Sequence, residues 1–154
     1  MQVLPLGELS VSQIASLMAE GRPWLPEFAD YWFFRTFCGS TSFFASVGGV
    51  PAGGLIACLN QDDPKEIYVD QVAVRRAFRG RGVAQALVRA VEHRAGVLKC
   101  TRVWLSTDPN NPAVDVWMRL GFTNCPGDLV EGRLSIHRDF KGPGKHRAIF
   151  EKKL

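Results

Sequence analysis

The chain has 154 residues, of which 46% are hydrophobic and 22% are charged. This composition excludes an intrinsically disordered chain and a membrane-embedded one, and the length suits one domain, residues 1–154, with a single core. The formal net charge of +4 would suit a nucleic-acid partner. Four arginines at one turn, however, account for much of the excess positive charge: Arg75, Arg76, Arg79 and Arg81. A small polyanionic ligand therefore explains the basicity as well as DNA would.

The N-terminus and the cysteines indicate the compartment. The first eight residues lack the basic stretch and apolar run of a secretion signal, and no run of about 18 apolar residues occurs. We therefore expect a cytoplasmic protein without a membrane partner. The cysteines are widely separated, with no CxxC pair and no histidine at ligand spacing: Cys38, Cys58, Cys100 and Cys125. We expect free thiols, with neither a disulfide nor a bound metal.

Two helices are predicted first along the chain. Ser10 is a suitable N-cap, and apolar residues recur at helical spacing up to Gly21, so residues 10–20 form a short amphipathic helix. Residues 27–37 follow two prolines and predict a second helix. Its aromatic side chains are expected to pack in the core, with the lining of an apolar pocket as the alternative: Phe28, Tyr31, Trp32, Phe33 and Phe34.

Three strands are predicted next. Residues 42–47 and 52–59 are rich in strand-forming residues and flank the pair Gly48-Gly49, which favours a tight hairpin. Residues 66–74 then form a nearly continuous apolar run. Such a run is typical of a central strand that is covered on both faces.

A strand–helix–strand unit follows. After the strand at residues 66–74, apolar residues between positions 83 and 95 recur at helical spacing, and residues 102–107 predict another strand. A connection of this length predicts a parallel strand pair with a right-handed crossover. Asn111 then serves as N-cap, with Pro112 at the first position, for a helix that stops at Gly121. The last predicted strands are short: one begins at Phe122, and two cover residues 134–137 and 147–152.

The turn between the 66–74 strand and the next helix is rich in arginine and glycine. It reads Arg79-Gly80-Arg81-Gly82-Val83-Ala84. Glycine permits a positive φ, and the first turn of a helix leaves backbone N–H groups unpaired, so this turn predicts an anion site for phosphate. Nucleotide-binding folds use similar turns, but neither a Walker Lys-Ser/Thr pair nor a Rossmann acid stands at the required distance.

Two motifs in this order resemble the GNAT acyltransferase superfamily. Arg79, Gly82 and Ala84 match its Arg/Gln-x-x-Gly-x-Gly/Ala signature between a strand and a helix. Its second motif is matched by Asn110, Ala113, Trp117, Gly121 and Phe122. The resemblance is strong over roughly residues 42–124. It implies an α/β (α+β) fold with a mixed, mostly antiparallel central sheet, one splayed parallel strand pair and flanking helices.

The resemblance implies an enzyme that uses acetyl-CoA, needs no metal, and moves the acetyl group to an amine by direct attack in a ternary complex. The whole turn, including Gly80, Arg81 and Val83, is then expected to hold the pyrophosphate. The pantetheine arm would lie in the gap between the parallel strands, against Val72, Ala73, Val74, Ala113 and Trp117. Asn110 would bond the arm, or Asn111 if the register differs by one.

The expected catalytic residues lie on the 66–74 strand. The resemblance implies that the backbone N–H near Val72 stabilises the oxyanion. Asp70 is our predicted base, because a carboxylate in an apolar strand is costly unless it is paired or useful, and strand alternation puts it on the Val72 face. The alternative is that Asp70 and Gln71 are a structural pair. Glu66, on the same face, is the reserve base.

The acceptor is expected to be a small-molecule amine, aminoglycoside-like or polyamine-like. Acidic residues that could surround such a cation are Asp62, Asp63, Glu66, Asp70, Asp108 and Asp115. The family usually has Tyr where Trp117 stands, and an indole is too weak an acid, so Trp117 is expected to pack while water or Tyr68 protonates the thiolate. The alternatives are a protein or peptide acceptor and a non-catalytic acyl-CoA-binding module. We expect no nucleic-acid partner and leave a homodimer open.

Overall fold

The computed structural model describes residues 1–21 and 28–154. Pro23, Pro26 and the predicted helix start at Glu27 lie outside the described residues. In chain order the elements are β1 (Gln2–Pro5), α1 (Val11–Met18), α2 (Phe28–Phe37), β2 (Phe43–Val47), β3 (Val50–Leu59), β4 (Glu66–Val74), α3 (Val83–Val97), β5 (Arg102–Thr107), α4 (Ala113–Arg119), β6 (Thr123–Asn124), β7 (Leu129–Glu131), β8 (Leu134–Ile136) and β9 (Ala148–Lys153).

The described strands form one seven-stranded sheet in the order β1-β2-β3-β4-β5-β9-β6, and β7 and β8 form a separate hairpin. β4 lies in the middle of the sheet, as its apolar run predicts. The neighbouring strands are antiparallel except for β4 and β5, which are parallel. The predicted fold class is thereby confirmed. β1, which was not predicted, adds an edge strand to β2.

Helices cover both faces of the sheet. α1 begins with the predicted N-cap: the Ser10 hydroxyl accepts a hydrogen bond from the Gln13 amide, and the Gln13 side chain accepts one from the Ser10 amide. Buried residues of α1, such as Ile14, pack with Tyr31 of α2 on one face, and those of α3, such as Leu87, pack on the other. Among the described helices, none is both long enough and apolar enough to span a membrane.

The aromatic residues of α2 are not all in the core. Tyr31 is fully buried, but Phe28, Trp32 and Phe33 are 62%, 55% and 49% exposed. The expectation of core packing is therefore wrong for these three side chains. A helix lying on a sheet buries only one stripe, and consecutive aromatic residues point in directions about 100° apart, so they cannot all face the core.

The cysteines also depart from expectation. Cys38, just after α2, forms a disulfide with Cys58 of β3, with Cα atoms 5.0 Å apart. Cys100 and Cys125 are free. The expectation of free thiols only is thus wrong for one pair, because packing of the α2 end against β3 brings together residues 20 positions apart. Burial, with a smaller contribution from Asp63, raises the pKa of the Cys100 thiol.

The disulfide predicts a specific labelling pattern. Alkylation of the denatured, unreduced protein is expected to modify Cys100 and Cys125 only, and prior reduction should add Cys38 and Cys58. In the chain-entropy model, closing this loop stabilises the fold by about 3 kcal/mol, so reduction should lower the free energy of unfolding by up to that amount. Peptide mass spectrometry measures the labelling; modification of all the cysteines without reductant would contradict the disulfide.

Candidate active site

A β-bulge interrupts β4 near its middle. Val69 pairs with Ala57 of β3 and Gln71 pairs with Ile56, so Asp70 is an extra residue between two consecutive residues of the partner strand. The bulge breaks strand alternation: Val69 and Val72, three positions apart, both pack on the α3 face, while Gln71 pairs with Ile56 of the α1 face. The expectation that strand alternation puts Asp70 on the Val72 face stays a prediction.

β4 and β5 separate at the bulge. Their parallel pairing ends at Val69 opposite Leu105, although β4 continues to Val74 and β5 to Thr107. Past this point, the facing backbone N–H and C=O groups of the two strands do not pair with each other, so they need other partners. The predicted splayed strand pair is confirmed.

A cavity of about 210 Å³ opens in this gap. The structure brings together there several of the residues predicted from sequence: Asp70, Val72, Ala73, Ala113 and Trp117. Predicted residues outside its lining are Glu66, Val74, Asn110 and the turn at 79–84. Sequence reasoning missed Ser106, Lys141 and Arg147, which also line the cavity. No group of three His, Cys, Asp or Glu side chains suited to a metal ion occurs within residues 1–21 and 28–154.

Asp70 lies in the cavity wall beside Gln71. The Gln71 side-chain amide donates a 3.0 Å hydrogen bond from Nε2 to Oδ2 of Asp70. Gln71 itself is 7% exposed, and its Oε1 has no hydrogen-bond donor among the described residues. The structural pair considered as an alternative therefore exists. Because the Asp70 carboxylate also lines the cavity, the pairing is compatible with a role in chemistry.

Glu66, the reserve base, is held in a polar network away from the cavity. Its Oε1 accepts a 2.8 Å hydrogen bond from Asn60, and its Oε2 forms a 3.0 Å ion pair with Arg102. Burial alone would raise the pKa of Glu66, but the hydrogen bonds from Asn60 and Arg102, together with the arginine charge, bring the pKa below its ordinary value of 4.5. These contacts suit a structural role.

Glu66→Gln is therefore expected to lower stability rather than activity. A carboxylate with a lowered folded-state pKa stabilises the fold above the unfolded-state pKa of 4.5, and this stabilisation is lost as the pH falls through the folded-state pKa. We expect Glu66→Gln to lose about 1–2 kcal/mol at pH 7 and much less at about pH 3. Urea unfolding at both pH values measures this, with exposed Glu8→Gln as control. A pH-independent difference would contradict the assignment.

The glycine turn has the backbone geometry of an anion site. Gly80 and Gly82 have φ values of +74° and +76°, in the region that favours glycine, and a Cβ at either position would meet nothing within 4 Å. Gly82 is the N-cap of α3, so the unpaired amides of that helix face the turn. Arg79 is anchored by a 3.1 Å hydrogen bond from its Nε to the Val74 carbonyl at the end of β4.

The second motif forms the opposite wall of the gap. Asn111 lines the cavity, and its Oδ1 accepts a 2.8 Å hydrogen bond from the Ala113 amide at the start of α4. Asn110 lies instead at a separate small depression, and its backbone N–H donates a hydrogen bond to Oδ1 of Asp108. Asn111 thus lies at the cavity while its side chain binds the start of α4, and the expectation that one of these two asparagines bonds the pantetheine arm stays a prediction. Trp117 is 8% exposed and packs edge-on against Phe122.

Tyr68 approaches the cavity through Ser106. The Tyr68 hydroxyl and the Ser106 Oγ are 3.0 Å apart, and Ser106 lines the cavity. The Tyr68 ring packs on Trp104 of the neighbouring strand, with centroids 4.6 Å apart. The Tyr68 phenol is thus connected to the gap through the Ser106 hydroxyl group.

The glycine turn follows β4, which separates from β5, and the Asp70 carboxylate lies in the cavity between these two strands. Residues 11–122 match the acetyltransferase (GNAT) family. The chain belongs to this family.

Similar proteins include an L-2,4-diaminobutyric acid acetyltransferase of Nocardia farcinica, 35% identical over 79 residues, which are 51% of this chain and 40% of that protein. The chain therefore aligns with less than half of this curated relative. Among solved structures, an aminoglycoside 6'-N-acetyltransferase complexed with coenzyme A has a TM-score of 0.78 at 11% identity, covering 99% of this chain and 97% of that one. The diaminobutyrate acetyltransferase of Paenibacillus lautus, with L-2,4-diaminobutyric acid and coenzyme A, has a TM-score of 0.70 at 16% identity, covering 97% and 93%.

Proposed function

We propose that the chain transfers an acetyl group from acetyl-CoA to the primary amine of a small molecule, by direct attack in a ternary complex. The observation that carries the proposal is the Asp70 carboxylate in the wall of a cavity where β4 and β5 have separated. The family match supports acetyl transfer, and the relatives named as diaminobutyric acid acetyltransferases support a small amine as acceptor.

In this proposal the donor, acetyl-CoA, binds between the two walls of the gap. Acetyl-CoA supplies an acetyl thioester. Residues 79–84 bind its pyrophosphate through backbone amides and the N-terminus of α3, and Arg79 and Arg81 add positive charge. Backbone groups of β4 beyond Val69 that face the gap, and that β5 does not pair, hydrogen-bond the amides of the pantetheine arm. Trp117 supplies an apolar surface beside the arm.

Two groups on β4 carry the chemistry in this proposal. The backbone N–H of Val72 donates to the thioester oxygen, where negative charge develops during attack. Asp70 removes a proton from the acceptor ammonium so that the neutral amine can attack. Glu66 is not assigned this role, because its carboxylate is held by Asn60 and Arg102.

The leaving thiolate needs a proton, and the Tyr68–Ser106 pair is our proposed source. Ser106 lines the cavity and is bonded to the Tyr68 hydroxyl. A phenol is a competent acid, whereas the indole N–H of Trp117 is not. Asn111 fixes the start of α4 next to the donor by accepting from the Ala113 amide.

The experiment that tests the proposal follows thiol release from acetyl-CoA with a panel of amines. The panel contains L-2,4-diaminobutyrate, spermidine, an aminoglycoside and a short peptide with a free N-terminus. Thiol release with a small amine supports the proposal. Release with the peptide alone would instead favour a protein acceptor, and CoA binding without any release would favour a non-catalytic module. The expectations of a cytoplasmic location and of a homodimer stay predictions.

A further inference from the structure

Two cationic side chains line the same cavity as Asp70. They are Lys141 and Arg147, and Asp70 is the one carboxylate among the described lining residues. These cations therefore outnumber the negative charges in the described cavity wall. A polycationic acceptor would be repelled by two positive charges at this distance from its amine, so the charge distribution does not suit an aminoglycoside or a polyamine.

The fold holds Arg147 at the cavity. Arg147 immediately precedes β9, and its backbone pairs with that of His137 through hydrogen bonds of 2.8 and 3.0 Å. This pairing closes the loop that carries Lys141. The Lys141 amide bonds to the Lys145 carbonyl within the loop, and its ammonium lies 5.5 Å from the centroid of the Tyr68 ring. Both cations thus project from one closed loop towards β4.

Neither cation is neutralised by the described part of the protein. No ion pair of Lys141 or Arg147 occurs among the described residues. The Nε of Arg147 is shielded from solvent and has no hydrogen-bond acceptor among those residues. A guanidinium and an ammonium without ion pairs at one cavity favour an anionic ligand there, because hydrogen bonds between ionised groups are stronger than neutral ones.

We propose that Lys141 and Arg147 bind a carboxylate of the acceptor, so that the acceptor is a small amino carboxylate with its reactive amine directed to Asp70. The inference rests on the proposed function, because it assigns the acceptor to the same cavity. Guanidinium and ammonium groups form charge-assisted hydrogen bonds with carboxylates, and two such groups fix the orientation of a short molecule. The acceptor is thereby recognised at both ends: Lys141 and Arg147 bind its carboxylate, and Asp70 lies at its reactive amine.

The test compares acceptors that differ only in the carboxylate. L-2,4-diaminobutyrate, its carboxamide and its decarboxylated analogue 1,3-diaminopropane are assayed by thiol release under identical conditions. We expect kcat/KM for the carboxylate to exceed both others by at least about 100-fold. Equal rates for the three compounds would overturn the inference while leaving the proposed function intact.

Substitutions at the two cations test whether these side chains recognise the carboxylate of the acceptor. Arg147→Met and Lys141→Met should each remove most of the preference for the carboxylate, by raising KM for diaminobutyrate and, because a repelling charge is lost, raising kcat/KM for 1,3-diaminopropane. Lys141→Arg keeps the charge and should keep the preference. Lys145→Met is the matched control, because Lys145 is an exposed cation of the same loop outside the cavity lining. An unchanged preference in both methionine variants would contradict the assignment.

A binding measurement separates this inference from the proposed function. If no acceptor releases thiol, the proposed function fails, and calorimetry of diaminobutyrate and its carboxamide with the CoA-loaded protein still tests the carboxylate site. Binding of the carboxylate at least about 30-fold tighter than the carboxamide, lost in Arg147→Met, supports the site. Equal affinities would overturn it.

Discussion

Gly82→Glu is expected to abolish binding of coenzyme A, with the dissociation constant rising at least about 100-fold, or roughly 3 kcal/mol. The new carboxylate would stand at the N-terminus of α3, where the phosphates are proposed to bind, and would repel them. Gly82 also has a φ of +76°, which a glutamate adopts only at a cost of about 1 kcal/mol. Calorimetric titration with coenzyme A measures the effect.

This result must be distinguished from unfolding. A negative side chain at a helix N-terminus interacts favourably with the helix dipole, so the variant should keep a cooperative thermal transition. Gly132→Glu is the matched control, because Gly132 also has a positive φ, +58°, and open space around its Cβ position, but it lies between β7 and β8. It should bind coenzyme A like the wild type. Wild-type affinity in Gly82→Glu would exclude this turn as the phosphate site.

Asp70→Asn is expected to keep acetyl-CoA binding and to lower kcat/KM by about 10²–10⁴-fold, the usual contribution of a general base. The amide has the same shape as the carboxylate but cannot accept the acceptor's proton. We therefore expect the rate of transfer to fall while donor binding is kept. Steady-state kinetics over a range of pH, with calorimetry for the donor, separates the two effects.

Asp62→Asn serves as the control for this substitution, because Asp62 is exposed in the turn between β3 and β4. It should leave both kcat and the pH profile unchanged. If Asp70→Asn turned over like the wild type, Asp70 would not be the base, and another group or a water would have to take that role.

Local signals in the sequence predicted most of the fold. The Ser10 N-cap, the apolar run of β4 and the helical spacing of α3 each act over a few residues, and each is present in the structure. β1 was missed because a short edge strand is defined by its partner β2 more than by its own pattern. The Cys38–Cys58 disulfide was missed for the same reason: it depends on contacts between distant segments.

The site was only partly predictable. The two motifs placed the glycine turn and the splayed strands, because these features follow from fixed spacings. The bulge at Asp70 could not be foreseen, since an extra residue in β4 becomes visible only when β3 is paired against it. Lys141 and Arg147 lie in a Gly- and Pro-rich segment without periodicity. The one signal for Arg147 was its position as the first residue of the last predicted strand, and Lys141 had none.

We propose that this chain moves an acetyl group from acetyl-CoA to a small amine in the gap between β4 and β5. Mass spectrometry after incubation with isotope-labelled acetyl-CoA and L-2,4-diaminobutyrate tests it most directly. We predict that the wild type places the label on an acceptor nitrogen, that Asp70→Asn does so far more slowly, and that Gly82→Glu does not. Label that stays on coenzyme A in the wild type with every amine of the panel, despite donor binding, would contradict the account.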